Sequence, residues 1–138
     1  AAGYSLGTGV TEHQKKFVVD FLSAAGVAVE VKEELQDAVT ATSGSGPAYF
    51  FAFVESMVKG ATALGLSEEV ATQLTVQTII GAAELLASSG KSATTLRENV
   101  TSPNGTTFAA LQSFAASDLE KIVANAMKAA RDRSIELS

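Results

Sequence analysis

The sequence has no cysteine and no tryptophan, a single histidine and only two prolines, and each scarcity closes off a class of function. Without cysteine there is no disulfide framework, no thiolate metal site and no thiol nucleophile, which fits a reducing compartment such as the cytoplasm. The lone His13 sits between Glu12 and Gln14 with no second histidine to complete a zinc set or a catalytic dyad, so it reads as a solvated surface residue and no metal is expected. Basic residues number ten against fifteen acids, dispersed along the chain, so nothing tracks a phosphate backbone and nucleic acid is not an expected partner. Long uncharged helical runs are also missing. The longest helical run without a charge, Val70 to Ala83, is 14 residues and holds Thr and Gln, short of the ~20 apolar residues of a membrane span. No basic segment precedes an apolar one at the N-terminus, so no signal peptide is read there, and the first residue is not Met, which leads us to expect a longer protein around this chain.

What is present is a mainly helical pattern behind a short α/β opening. Residues 1–34 read as strand, helix, strand. Gly3 to Gly9 is extended; Thr11 and Gln14 form a capping-box pattern; Phe17, Val18, Phe21 and Leu22 recur at helical spacing; Gly26 closes the helix; and Val27, Val29 and Val31 alternate with Ala28 and Glu30 as a strand. A single unit of this kind cannot bury both faces of its sheet, so it is expected to belong to a larger α/β domain.

From Leu35 to Ser138 the pattern is helical throughout. Ser43-Gly44-Ser45-Gly46-Pro47 is read as a flexible turn with proline at a helix start, after which Phe50, Phe53, Val54, Met57, Val58, Ala61 and Leu64 mark one face. Gly65-Leu66-Ser67 ends that helix and caps the next, predicted over 68–88, which is apolar nearly all round. A chain of 138 residues has little protein to surround such a helix, so an obligate homo-oligomer is expected. A last helix is expected behind a second capping box, Ser117 with Glu120.

Chemistry is sparse. The acid pairs Glu33-Glu34 and Glu68-Glu69 read as solvated, and Gly7-Thr8-Gly9 and Gly44-Ser45-Gly46 fall short of a dinucleotide fingerprint. What remains is the polar, uncharged stretch Thr101-Ser102-Pro103-Asn104-Gly105-Thr106-Thr107, which offers a turn, backbone N–H groups and hydroxyls at a helix start. Those groups suit a small carboxylate or phosphate, and equally an ordinary helix cap. They bind and orient; they do not by themselves drive a reaction.

Three blocks carry this reading further. Asp37 to Tyr49, Gly65 to Ala83, and Leu96-Arg97-Glu98-Asn99-Val100 running into Thr101 to Thr107 together resemble the C-terminal half of the pyrroline-5-carboxylate reductase family, with one departure, Asn104, where the family usually has a second glycine. The resemblance implies a mainly α fold: an all-helical dimerisation and substrate-binding domain over 35–138, preceded over 1–34 by a short βαβ remnant of a Rossmann-like α/β domain. It implies an enzyme that passes a hydride from NADPH or NADH to 1-pyrroline-5-carboxylate to give L-proline, the last step of proline biosynthesis, in the cytoplasm. A homodimer is implied, with a decamer as a further assembly, and neither nucleic acid nor membrane as partner. The residues that would bind most of the cofactor lie outside this chain, so the isolated chain is expected to be inactive.

By the same resemblance Gly105, Thr106 and Thr107 hold the substrate carboxylate through backbone N–H groups and hydroxyls, Thr107 also reaches the ring nitrogen as the catalytic group, Ser102 and Asn104 shape the turn, and Asn99 is a further substrate-binding candidate. Two other readings remain beside it: a non-enzymatic helical oligomerisation or ligand-binding module, and a related dehydrogenase acting on another imine or a hydroxy acid.

Overall fold

A computed structural model describes residues 1–137. The chain divides into two compact units, one formed by residues 1–49 with the C-terminal stretch from 123, the other by residues 50–122.

The first unit opens with two short parallel strands, β1 (Ala2–Tyr4) and β2 (Ala28–Glu30), in register Ala2 to Ala28, joined by helix α1 (Glu12–Ser23). Helix α1 starts as its sequence requires: Thr11 Oγ1 accepts from the Gln14 N–H and Gln14 Oε1 accepts from the Thr11 N–H, a complete capping box. Its covered stripe is Lys15, Val19 and Leu22, whereas Phe17 and Phe21, expected to be part of the apolar face, are 67% and 71% exposed. Two strands are too narrow a platform to cover a whole helix face. Lys15 Nζ is 2.6 Å from Glu30 Oε2, and the Tyr4 hydroxyl donates to the same oxygen at 3.3 Å, tying α1 and β1 to the end of β2.

After β2 comes a 3₁₀ turn (Glu33–Leu35), one turn of α-helix, α2 (Gln36–Val39), and a π-helical turn (Thr40–Gly44), leading directly into α3 (Gly46–Ala63). The segment expected to be a flexible turn is therefore wound into helix, with only Ser45 between the π turn and α3. Its hydroxyls explain this: Thr40, Thr42 and Ser43 each donate to the carbonyl four residues earlier, and the Tyr49 hydroxyl donates to the Ala41 carbonyl at 3.0 Å. Ala41 and Gly46 are buried.

In the second unit, α3 is closed by Gly65 at φ +103, with the Leu66 N–H donating to the Ala61 carbonyl and the Gly65 N–H to that of Thr62. Ser67 caps α4 (Glu68–Ser88), where only Ala71 and Thr75 are buried and Ile79 half-buried, a stripe one residue wide with a spacing of four. Helix α4 contains the 14-residue uncharged run inside 21 residues, so by length and composition alone it meets the requirement for a bilayer span. Then follow α5 (Ala93–Asn99), capped by Ser92, α6 (Thr106–Ala116) and α7 (Leu119–Leu137), the last crossing into the first unit. The expected capping box at Ser117 does not form: Ser117 ends α6, its N–H donating back to the Ser113 carbonyl, and α7 begins after Asp118, which takes a left-handed φ of 58°. Asp132 on α7 bonds to Lys128 and to Arg131; the two cations hold its carboxyl below the usual range, the Lys128 hydrogen bond foremost.

Candidate functional site

The candidate site lies in the second unit, in the six residues between α5 and α6 and the first turn of α6. It begins where α5 unwinds. The Thr101 N–H donates to the Glu98 carbonyl at 3.0 Å, and its hydroxyl to the Arg97 carbonyl at 2.6 Å.

Ser102 to Gly105 is a β-turn closed by the Gly105 N–H donating to the Ser102 carbonyl at 3.0 Å, with Pro103 and Asn104 as its central pair. Proline first and a positive φ second is the type II pattern, and Asn104 supplies the second at 58°. Asn104 therefore supplies the left-handed residue without glycine. Gly105 has extended backbone, φ −78° and ψ 176°, so its own need for glycine is steric: a Cβ there would land on Ser102 Oγ and lie 3.2 Å from the Ser102 carbonyl oxygen.

Helix α6 then opens at Thr106, two residues earlier than the apolar pattern at Phe108 marks it. The first intrahelical bond at this end runs from the Ala109 N–H to the Gly105 carbonyl at 3.1 Å, which leaves the N–H groups of Thr106, Thr107 and Phe108 without intrahelical partners. In α1, α4 and α5 a side chain, from Thr11, Ser67 and Ser92 respectively, accepts from the first turn. Helix α6 starts on Gly105 with no side-chain cap, and among the described residues the Thr106 and Thr107 hydroxyls have no partner. Thr107 is half-buried on the same side of α6 as Leu111; Thr106 is exposed. No acid lies in the first turn to compete for the helix's positive end.

Ser102, Asn104 and Gly105 thus share one turn, and Thr106 and Thr107 follow it directly. Asn99 is apart, exposed as the last residue of α5 and outside the turn's hydrogen bonds. Two points escape the sequence. The Gly105 N–H is engaged within the turn rather than free, and the Phe108 N–H takes its place among the open donors; the signal available was that nothing in the sequence delays the helix past Thr106.

The opening βαβ unit offers no dinucleotide cradle. The turn from Gly7 to Val10 has the Val10 N–H on the Gly7 carbonyl at 3.4 Å and no third glycine, and the first turn of α1 is already closed by Thr11 and Gln14. These residues do not fit a pyrophosphate. Among the described residues no group of three or more His, Asp or Glu is placed to hold a metal.

Fold and loop together define a mainly helical chain with a Rossmann-like βαβ opening and an uncapped helix start open to a small anion. The chain belongs to the pyrroline-5-carboxylate reductase dimerisation family, whose profile matches residues 33–137. It is 47% identical to pyrroline-5-carboxylate reductase of Pseudomonas aeruginosa over all of its length and 51% of that protein, and 41% identical to that of Arabidopsis thaliana, again over all of its length and 50% of the relative. Among solved structures, a pyrroline-5-carboxylate reductase from Coxiella burnetii superimposes with a TM-score of 0.94 at 37% identity, covering 99% of this chain and 52% of the other. The Plasmodium falciparum pyrroline carboxylate reductase, solved with NADP bound, does so with a TM-score of 0.87 at 35% identity over 96% of this chain and 51% of that one. The chain spans about half the length of the curated relatives it matches.

Proposed function

We propose that this chain is the substrate-holding and dimer-forming half of an NADPH- or NADH-dependent pyrroline-5-carboxylate reductase, which reduces 1-pyrroline-5-carboxylate to L-proline in the cytoplasm. The observation that carries the reading is the start of α6, where three N–H groups and the hydroxyls of Thr106 and Thr107 have no internal partner. A carboxylate placed there gains the helix's positive end, worth about 0.3–1 kcal/mol at an exposed site. The N–H groups of Thr106, Thr107 and Phe108 take the carboxylate oxygens. Thr107, half-buried, turns its hydroxyl to the ring nitrogen and supplies or relays the proton that nitrogen needs. Ser102, Pro103 and Asn104 hold the turn that brings these donors together, Gly105 keeps its approach clear of a Cβ, and Asn99 stands at the rim.

The chain's work is orientation, a contribution that reaches several kcal/mol when a reactant is held in its attacking geometry. The hydride donor is bound by residues other than these. We also propose the division of roles at residue 34, with the βαβ unit belonging to the nucleotide-binding side and residues 35–138 to the substrate and dimer side, and a dimer that assembles further into a decamer. The apolar sides of α4 face a second copy of the chain rather than lipid.

The test is a titration of L-proline, the reaction's product, followed at the backbone amide resonances of the turn. Shifts at Thr106, Thr107 and Phe108 are expected, and L-proline methyl ester, which lacks the negative charge, should produce none. Equal shifts from the ester, or none from proline, would overturn the carboxylate assignment. Mixing the chain with NADPH and 1-pyrroline-5-carboxylate should give no NADPH oxidation; rapid oxidation would contradict the placement of the hydride donor outside it.

A further inference from the structure

The turn that presents the open donors of α6 has to leave α5 at a fixed angle, and one side chain joins the two. Thr101 is half-buried and comes directly after the last turn of α5, where Val100 has already left helical geometry at φ −101° and ψ 7°. Its hydroxyl donates to the Arg97 carbonyl at 2.6 Å while its N–H, alongside that of Val100, donates to the Glu98 carbonyl at 3.0 Å, so this one residue reaches two of the carbonyls that a helix end leaves open. The next residue, Ser102, contributes the carbonyl that closes the turn on the Gly105 N–H, and Gly105 in turn contributes the carbonyl that receives the first bond of α6. The order is therefore continuous: α5 carbonyl, Thr101, Ser102, Gly105, α6.

We propose that Thr101 is a positioning residue for the carboxylate site, acting through its hydroxyl to fix the Ser102–Gly105 turn on the end of α5 and with it the direction of the Thr106, Thr107 and Phe108 N–H groups. The inference rests on the reading of α6's start as a carboxylate site. Thr101 itself touches no substrate. Its hydrogen bond to Arg97 restricts how α5 passes into the turn, and a small change of angle there is carried to donors that must meet both oxygens of one carboxylate. Threonine and valine are nearly the same shape, so Thr101→Val removes the bond while keeping the packing, and Thr101→Ser keeps the bond while removing a methyl.

The experiment titrates L-proline into the chain, wild type and both variants, and reads the dissociation constant from the amide shifts of Thr106, Thr107 and Phe108, with the thermal midpoint measured alongside. Thr101→Val is expected to weaken L-proline at least fivefold with little change in the midpoint, and Thr101→Ser to bind within twofold of wild type. Thr101→Val binding within twofold of wild type would overturn the positioning role, as would Thr101→Ser binding as weakly as Thr101→Val. Should Thr101→Val fail to fold, the serine variant decides alone: normal binding supports the hydroxyl, weak binding overturns it. Wild type giving no shift at these amides would remove the carboxylate reading and this role together, whereas wild-type binding that Thr101→Val leaves unchanged would remove this role alone.

Discussion

Asn104 shows how far a single residue can be read and where reading stops. It falls where the turn needs a left-handed residue, and its φ of 58° is a conformation that asparagine adopts more readily than any residue with a larger or branched side chain. Replacing it with alanine should cost roughly 1 kcal/mol and lower the thermal midpoint by a few degrees, while Asn104→Gly should hold or raise it. An alanine variant as stable as wild type would mean the turn relaxes to another form. Gly105 was not legible in the same way. Its backbone is extended and open to any residue, and what requires glycine is the Ser102 hydroxyl above it, a contact set by the turn rather than by sequence spacing.

The Lys15, Glu30 and Tyr4 group was equally invisible in the sequence, because it depends on α1 lying across the strands. Lys15 is raised above the ordinary lysine value, chiefly by its hydrogen bond to Glu30, and Glu30 is held below the ordinary carboxylate range, chiefly by the same bond from Lys15. For the depressed acid, stability is present above its unfolded value and lost as pH falls through its folded one. For the raised base, it is present below the unfolded value and lost as pH rises through the folded one. The pair therefore supports the fold across the range between the ordinary carboxylate and lysine values and fails at both ends. Glu30→Gln should flatten the acid side of the midpoint-against-pH curve; an unaltered acid side would show the pair to be energetically idle, as many exposed ion pairs are.

Among the elements, α4 was legible to the residue. Ser67 and the two acids after it mark its start, and no internal proline or cap interrupts 68–88. The π turn at Thr40–Gly44 was not, since its glycine and hydroxyls are what a flexible linker would show, and only back-bonding to carbonyls four residues earlier winds it into helix. Ser117 was misplaced for a related reason: Ser-x-x-Glu is a start signal only when the chain is free to start there, and here Ser117 is still held by α6. What α4 lacks is cover. Leu74 is 56% exposed and Ile80 52%, on a helix with two buried residues. Ile80→Glu should put a charge on the side proposed to meet a second copy, and sedimentation velocity should then show a smaller species than wild type. An unchanged sedimentation coefficient would remove that side of α4 from the interface.

The same deficit runs through the whole molecule. The described chain exposes 10387 Å², roughly half as much again as the about 6,800 Å² that a folded monomer of this mass presents. Ala41 and Ala71 are its buried hydrophobic residues, while Phe50, Phe51, Leu64 and Phe21 are among many large apolar side chains left mostly in solvent. Apolar surface contributes about 25 cal/mol per Å² removed from water, so a chain with only two small buried hydrophobic residues obtains little of the stabilisation that offsets its ordering entropy. The surface in excess, about 3,600 Å² on each chain, exceeds the about 1,000–2,500 Å² per partner that large obligate interfaces bury, so there is ample surface for a second copy to cover. Folding and assembly should therefore be one equilibrium. In that case the thermal midpoint falls on dilution, by mass action, because the folded form is a complex and the unfolded form is not. We expect a lower midpoint at each tenfold dilution across the micromolar range, with the helical signal and the dimer's sedimentation boundary disappearing together. A midpoint independent of concentration, with a monomer boundary that retains full helicity, would mean that the exposed faces of this chain are stable in water alone.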